Sequence, residues 1–268
     1  MNSFQRKTVG LALGSGGVRG LAHVGVIKTL LKYKIPIDFI AGSSIGSWVG
    51  AHYALYQDIE RLEEFTVGKK KEKLLSFLEP NLHGGLVRGD KAQLLLNEWL
   101  ENKEFKDTQI PLRIIATDVI KGNQHIFKSG NLALACRASM AIPGLFRPIK
   151  LKGKVLIDGG ISNPIPDDLV KRLGADIVIA VNLDYRGKTT FSKDYPKLID
   201  LSLRAIDLLR QNLAEYSMQE TDIKIQPNLS KYVKWRDYFL KNNGEDIVKA
   251  GARETEKMIP EILAKLNQ

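Results

Sequence analysis

Residues 39–54 constrain the fold of this chain more than any other stretch. An apolar, strand-type run at residues 39–41 leads into Gly42-Ser43-Ser44-Ile45-Gly46, which has the pattern Gly-x-Ser-x-Gly. A helical pattern rich in glycine, serine and alanine follows, and such small residues allow a helix to pack closely on a sheet. The stretch therefore predicts a strand that turns sharply into a helix, with a strained residue at the turn.

Ser44 is the residue at the centre of that turn. Gly42 and Gly46 lack Cβ atoms, so the flanking backbone can approach closely. The turn would present the Ser44 hydroxyl at a helix N-terminus, where free N–H groups and the helix dipole favour a developing negative charge. Because the pattern also occurs by chance in a chain with 23 glycines, the flanking strand and helix carry the inference. Ser44 is thus a candidate nucleophile.

A second glycine-rich turn lies near the start of the chain. Residues 8–13 have a buried-strand pattern, and residues 21–31 have helical apolar spacing; between them stands Gly14-Ser15-Gly16-Gly17-Val18-Arg19-Gly20. Backbone N–H groups gathered at a helix start form an anion-binding concavity. Such a loop could bind a nucleotide, or it could stabilise an oxyanion beside Ser44.

The nucleotide-binding interpretation fits the residues poorly. The dinucleotide pattern Gly-x-Gly-x-x-Gly is broken because Arg19 stands where the third glycine is required, and no acidic residue ends the next strand. The loop also lacks the Gly-Lys-Ser/Thr of a P-loop. Since consecutive strands of an α/β sheet often lie side by side, with their loops at one edge, the sequence favours an oxyanion hole.

Asp158 ends a further strand pattern, at residues 154–157, and is followed by Gly159 and Gly160. An Asp-Gly pair is common in simple turns, and this interpretation stays open. A carboxylate at a strand end on a tight loop is also suitably placed to act as a catalytic base. Asp118 ends another strand pattern, where a loop-ordering role is favoured over contact with the site.

A serine nucleophile needs a neighbouring group that accepts its proton. The chain has four histidines, and all of them precede Asp158: His23, His52, His83 and His125. A triad in the order Ser, Asp, His is therefore excluded. A Ser–Asp dyad remains, in which Asp158 accepts the proton directly.

The three stretches, in this order, resemble the patatin-like phospholipases, particularly their small bacterial members. The likeness extends over residues 8–181 and includes residues 138–146, Ala-Ser-Met-Ala-Ile-Pro-Gly-Leu-Phe. Two departures are small: Ser15 replaces the first glycine of the strict loop pattern, and Gly160 stands where alanine is also frequent. The C-terminal third carries little signal.

The resemblance implies an α/β fold with three layers, in which a mostly parallel central sheet is flanked by helices. It implies that Ser44 is the nucleophile, Asp158 the base, and the backbone of Gly16, Gly17, Val18 and Arg19 the oxyanion hole. The other motif glycines are Gly14, Gly20, Gly42, Gly46, Gly159 and Gly160. The implied activity is hydrolysis of acyl esters of phospholipids or related lipids through an acyl-enzyme, of phospholipase A or lysophospholipase type, without metal or cofactor. The alternative is an acyl- or lipid-binding regulatory protein with little turnover.

Length and composition limit the remaining alternatives. With 268 residues and no linker-like segment, the chain is expected to form one domain, residues 1–268, with a core at 8–181 and a C-terminal helical part at 196–268. The single cysteine, Cys136, excludes an internal disulfide and fits a reducing compartment. No signal peptide or membrane-spanning run is visible, so a cytoplasmic protein is expected.

The formal net charge of +10 favours an anionic neighbour or simple solubility. No nucleic-acid-binding signature accompanies the basic residues, which cluster at 69–73 and 231–236. Peripheral contact with an anionic membrane is the remaining partner prediction, besides the lipid or acyl-ester substrate. The sequence does not indicate an oligomeric state.

The other elements follow from periodicity. Strands are expected at residues 111–118, 124–128, 174–181 and 222–226, with the first two paired as a hairpin. Helices are expected at residues 88–100, 131–140, 167–173, 196–218 and 244–266, and the last is expected to be interrupted at Pro260.

Overall fold

The computed structural model describes residues 6–68, 79, 85–184, 197–231 and 244–268. Histidine 83, the basic cluster at 69–73 and most of the cluster at 231–236 lie outside these ranges. The described strands form one sheet of eight. They are β1 (Val9–Leu13), β2 (Phe39–Ser43), β3 (Leu112–Asp118), β4 (Asn123–Phe127), β5 (Ile149–Leu151), β6 (Lys154–Asp158), β7 (Ile177–Val181) and β8 (Ile223–Ile225).

The sheet is mostly parallel, as the sequence predicts. Its order is β5-β6-β3-β2-β1-β7-β8, with β4 also paired to β3. The five strands from β3 to β8 in that order run parallel, whereas β4, β5 and β6 are added in antiparallel pairs. Leu13 of β1 pairs with Gly42 of β2. The glycine-rich loop and the Gly-x-Ser-x-Gly turn therefore leave the sheet side by side, at the same edge.

Helices cover both faces of the sheet, which confirms the three-layer arrangement. They are α1 (Ala22–Lys32), α2 (Ile45–Tyr56), α3 (Ile59–Val67), α4 (Asp90–Trp99), α5 (Leu132–Ser139), α6 (Asp167–Arg172), α7 (Leu198–Tyr216) and α8 (Gly244–Asn267). Alternate residues of β1 and β7 face opposite sides. Leu11 and Ile179 pack into the larger apolar core with α1, α2 and α8, while Ala12 and Val178 pack into the smaller one with α6.

Two local predictions needed correction. The first helix does not begin as an α-helix, because Gly17–Leu21 form a 3-10 helix before α1. The expected interruption at Pro260 was wrong, because α8 continues through it. A proline inside a helix removes one hydrogen bond and crowds the preceding turn. Here Ile259 and Ile262 are both buried against the core, so packing holds the helix together on either side of the proline.

Within the described ranges, none of the helices combines the length and the apolar character that crossing a bilayer requires. The prediction of a single domain and the prediction of a cytoplasmic location both remain predictions.

Candidate active site

The turn between β2 and α2 has the strained geometry that the Gly-x-Ser-x-Gly pattern predicts. Ser44 has φ 53° and ψ −124°, a conformation that side-chain-bearing residues rarely adopt. A Cβ on Gly42 would lie 2.5 Å from the carbonyl oxygen of Gly46, and one on Gly46 would lie 2.1 Å from that of Leu13. Only glycine allows the strand end and the helix start to approach this closely.

Two serines hold the strained turn in place. The Ser44 N–H donates to Oγ of Ser139 at 2.8 Å, and the Ser44 carbonyl accepts from Oγ of Ser47 at 2.6 Å. Ser139 ends α5, which packs against α2. Because no motif marks its role, sequence reasoning missed Ser139, although it lies in the segment 138–146 that resembles the family.

Ser44 and Asp158 are brought together at this edge. The Ser44 Oγ donates a 2.6 Å hydrogen bond to Oδ2 of Asp158, and both residues are only 5% exposed. The other carboxylate oxygen, Oδ1, accepts from the Gly160 N–H at 2.8 Å. The Asp158 carbonyl also accepts from Oγ1 of Thr117 at 2.8 Å, which ties the turn to β3. One oxygen of the carboxylate is therefore fixed by the backbone, and the other faces the serine.

Burial raises the pKa of Asp158 to about 6, while hydrogen bonds from Ser44 and Gly160 and the positive charge of Arg210 oppose the rise. A carboxyl group with this pKa is mostly ionised at neutral pH, yet it is more basic than an ordinary aspartate. Both properties suit a group that must accept a proton and later return it.

The described histidines do not contact the Ser44 hydroxyl. Nε2–H of His23 donates to the Gly14 carbonyl at 2.8 Å, and burial lowers its pKa to about 4. His52 is buried beside the rings of Tyr56 and Phe65, and burial likewise lowers its pKa to about 4. His125 accepts from Nζ of Lys154 at 2.9 Å. In this structure the group that accepts the hydrogen bond of the Ser44 hydroxyl is the carboxylate of Asp158.

The glycine-rich loop lies beside the turn that carries Ser44. Its start is anchored to two neighbouring segments, because the Gly14 N–H donates to the Val181 carbonyl at 3.1 Å and the Ser15 N–H donates to Pro164 at 2.9 Å. A Cβ on Gly20 would lie 2.2 Å from Cγ1 of Ile45, the first residue of α2. The loop and the helix start are thus in direct contact.

The backbone amides of this loop differ in their availability. The Arg19 N–H donates to the Gly16 carbonyl at 3.2 Å, the first bond of the 3-10 helix. In the part of the chain that the structure describes, the N–H groups of Gly16, Gly17 and Val18 meet no acceptor. The amide of Arg19, which the resemblance included among the oxyanion donors, is therefore already engaged.

Asp118 has the loop-ordering role that the sequence favoured, since its Oδ1 accepts from the Ile120 N–H at 3.1 Å.

Four charged residues that belong to no recognised motif as a group also lie close to the site. Arg210 of α7 forms ion pairs with Asp184 and Asp207, and Arg19 lies beside the same two carboxylates. Sequence reasoning missed three of them, because residues 184, 207 and 210 meet residue 19 only through tertiary packing.

A model of the patatin-like phospholipase family matches residues 11–170, which is more than half of the chain. The chain belongs to the patatin-like phospholipase family. The match confirms the resemblance and includes Ser44, Asp158 and the glycine-rich loop.

Curated members of the family are similar over about two thirds of this chain. An uncharacterized NTE family protein of Mycobacterium tuberculosis is 38% identical over 180 residues, which are 66% of this chain and 49% of that protein. Patatin-like phospholipase domain-containing protein 6 of Mus musculus is 31% identical over 192 residues, or 69% of this chain and 14% of that protein. The chain thus matches about half the length of the mycobacterial relative and a small part of the mouse protein.

The fold is also found in a solved structure. The crystal structure of VipD from Legionella pneumophila has a TM-score of 0.62 with this chain at 13% identity, covering 96% of this chain and 67% of VipD. At this identity the likeness concerns the fold alone. It supports the assignment of this family member to the three-layer α/β fold.

Proposed function

We propose that this chain is a serine acyl hydrolase that acts on lipid esters, with Ser44 as nucleophile and Asp158 as base. The observation that carries the proposal is the 2.6 Å hydrogen bond from Ser44 Oγ to Asp158 Oδ2, made by a serine at a strained strand-to-helix turn. Membership of the patatin-like phospholipase family supports the lipid hydrolase activity.

In the first half of the proposed reaction, Ser44 Oγ attacks the ester carbonyl carbon while its proton moves to Oδ2 of Asp158. The carbonyl oxygen becomes an oxyanion, for which the free amides of Gly16, Gly17 and Val18 are the proposed donors. The intermediate then collapses to an acyl-enzyme. The leaving alkoxide takes the proton from Asp158 and departs as an alcohol.

The second half repeats these steps with water. Asp158 accepts a proton from a water molecule, whose oxygen attacks the acyl carbon. A second oxyanion forms beside the same amides, and its collapse releases the fatty acid. Ser44 regains its proton from Asp158, so the enzyme returns to its starting state.

The proposed substrate is a lipid at a membrane surface, and α7 supplies a surface suited to it. The side chains of Leu201, Leu208 and Leu209 are exposed, and their spacing places them on one side of the helix. The opposite side carries Arg210, which reaches the turn after Asp158. The leucine face therefore lies across the helix from the dyad. The net charge of +10 favours a membrane with anionic lipids.

The test is product release from p-nitrophenyl esters of several chain lengths, together with labelling by a serine-directed fluorophosphonate. Ser44→Ala should abolish both, whereas Ser129→Ala, at an exposed turn, should change neither. Labelling and turnover by the Ser44→Ala protein would place the nucleophile elsewhere. Tight acyl binding by the unmodified protein without product release would support the lipid-binding regulatory alternative.

A further inference from the structure

Four charged side chains form a compact group at the edge of the site, which we call the charge cluster: Arg19, Asp184, Asp207 and Arg210. Arg210 pairs with Asp184, and its Nη2 lies 2.5 Å from Oδ1 of Asp207. Nη2 of Arg19 lies 3.7 Å from Asp184 and 3.9 Å from Asp207. The two arginines therefore share the same pair of carboxylates.

The charge cluster is largely removed from water. The side chains of Arg19, Asp184 and Arg210 are 5–10% exposed, whereas Asp207 is 30% exposed and also pairs with Arg204. Burying charged groups costs desolvation energy that their mutual attraction only partly offsets. The charge cluster is therefore expected to contribute little to the free energy of unfolding. Its main effect is to fix the positions of the segments that carry its side chains.

One end of the charge cluster holds the glycine-rich loop. Arg19 follows the free amides of residues 16–18, and its Nε donates to the Gly16 carbonyl at 3.1 Å. The side chain thereby fixes the peptide unit that joins Gly16 to Gly17. The orientation of that peptide determines where the Gly17 N–H points.

The other end holds the turn that carries the proposed base. A Cβ on Gly160 would lie 2.9 Å from Cδ of Arg210 and 3.0 Å from Oδ1 of Asp158. The stem of Arg210 thus packs directly over the residue whose N–H donates to Asp158. The glycine leaves the space that Arg210 occupies.

We propose that Arg210 is a positioning residue for the reaction described above, and that the charge cluster fixes the glycine-rich loop relative to Asp158. This inference rests on the proposed function. Asp184 and Asp207 connect Arg210 to Arg19, so a change at Arg210 alters both the orientation of Asp158 and the placement of the oxyanion donors. In this proposal Arg210 does not contact the reacting atoms and acts only through Asp158 and the glycine-rich loop.

Arg210 also acts on Asp158 through its charge. Asp158 faces the Ser44 hydroxyl from the start of α2, the Gly160 N–H from its own turn and the guanidinium of Arg210 from α7. Arg210 in turn faces Asp184 and Asp207, and its positive charge also acts on Arg19. Because a nearby positive charge favours the ionised carboxylate, its removal should raise the pKa of Asp158 further.

The experiment compares Arg210→Gln and Arg210→Lys in the full chain, using a short p-nitrophenyl ester at pH values from 4.5 to 8.5. Arg210→Gln should lower kcat about tenfold with a smaller change in KM, because the donors and the base are misplaced. The acid limb of kcat/KM should move to higher pH, because the positive charge that favours the ionised Asp158 is gone. Arg210→Lys should restore the acid limb but only part of kcat, since an ammonium cannot pair with both carboxylates as a guanidinium does.

The matched control is Arg172→Gln, which removes an exposed arginine paired with Asp168 at 3.1 Å on α6. It should leave kcat and the acid limb unchanged. Titration with a fluorophosphonate gives the fraction of folded, reactive enzyme, so losses of folding are separated from losses of rate. If Arg210→Gln does not fold, Arg210→Lys alone tests the proposal: a lower kcat per reactive site with an unchanged acid limb would support the positioning role, and an unchanged kcat would overturn it.

An unchanged acid limb in Arg210→Gln, or a lower reactive fraction with normal kcat per reactive site, would overturn the positioning role. Failure of the proposed function looks different. In that case Ser44→Ala would keep its turnover, or the unmodified protein would release no product from any ester.

Discussion

Ser44 Oγ and Asp158 Oδ2 lie 2.6 Å apart although 114 positions separate the two residues in the chain. Neighbouring strands produce this approach. Ser43, at the end of β2, pairs with Ile115 of β3, and Asp158, at the end of β6, pairs with the next residue, Ala116. The antiparallel direction of β6 brings its last residue back toward Ser44. The proposed dyad is thus held by the sheet itself.

Asp158→Asn should preserve the fold and remove most of the activity. An asparagine of the same shape can still accept the hydrogen bond from Gly160, but its amide cannot take the proton of Ser44. Loss of a general base typically lowers turnover by about 100-fold to 10,000-fold. We expect kcat to fall within this range while the melting temperature changes little. Unimpaired ester hydrolysis by Asp158→Asn would contradict the dyad.

The activity should depend on pH through Asp158. Burial raises its pKa to about 6, so the carboxylate loses its basic form as the pH falls through this value. The rate constant kcat/KM for a neutral ester is therefore expected to be constant above about pH 7 and to fall below about pH 6. A profile that stays flat to pH 4.5 would indicate a base with an ordinary pKa, and the dyad would need revision.

Gly46→Ala should destabilise the protein strongly. Its Cβ would lie 2.1 Å from the Leu13 carbonyl oxygen, and neither backbone segment can move without disturbing the sheet. We expect a loss of roughly 1–3 kcal/mol in the free energy of unfolding, measured with urea. The control is Gly50→Ala on the same helix, whose nearest neighbour is a side-chain methyl of Ile40 at 2.9 Å. Because that methyl can shift, Gly50→Ala should lose less; equal losses would contradict the close-approach argument.

Leu209→Glu should weaken binding to lipid vesicles. Leu209 is 69% exposed on the leucine face of α7, and the substitution removes apolar contact and adds a charge that anionic lipids repel. We expect about a tenfold loss of binding to vesicles that contain phosphatidylglycerol, measured by co-sedimentation, with unchanged hydrolysis of a water-soluble ester. Leu94→Glu on α4, where Leu94 is 66% exposed, is the matched control and should bind normally. Equal binding by both variants would exclude α7 as the membrane contact.

The sequence was sufficient for those parts of the fold that local patterns determine. Short-range periodicity predicted the strand and the helix on either side of Ser44. Gly42 and Gly46, where a Cβ would collide with the neighbouring backbone, predicted the sharp turn between them. The side-by-side arrangement of β1 and β2 followed from the general preference of consecutive strands. The family resemblance rested on the same short stretches, and the family match confirmed it.

The missed features depend on contacts between distant residues. No pattern links Arg210 to Asp184 or to Gly160, because a helix, a loop after β7 and a turn after β6 must first pack together. The continuity of α8 through Pro260 was missed for the same reason, since buried residues on both sides offset the local penalty. At Pro260 tertiary packing overrides the local preference against proline inside a helix.

The shared register on β3 also has a consequence for how the protein meets a ligand. Ser43 and Asp158 pair with adjacent residues of one central strand, so the serine and the carboxylate are preassembled before any ester arrives. No rearrangement of a surface loop is needed to join them. A small fluorophosphonate should therefore react with the free protein in a single exponential phase, without a lag.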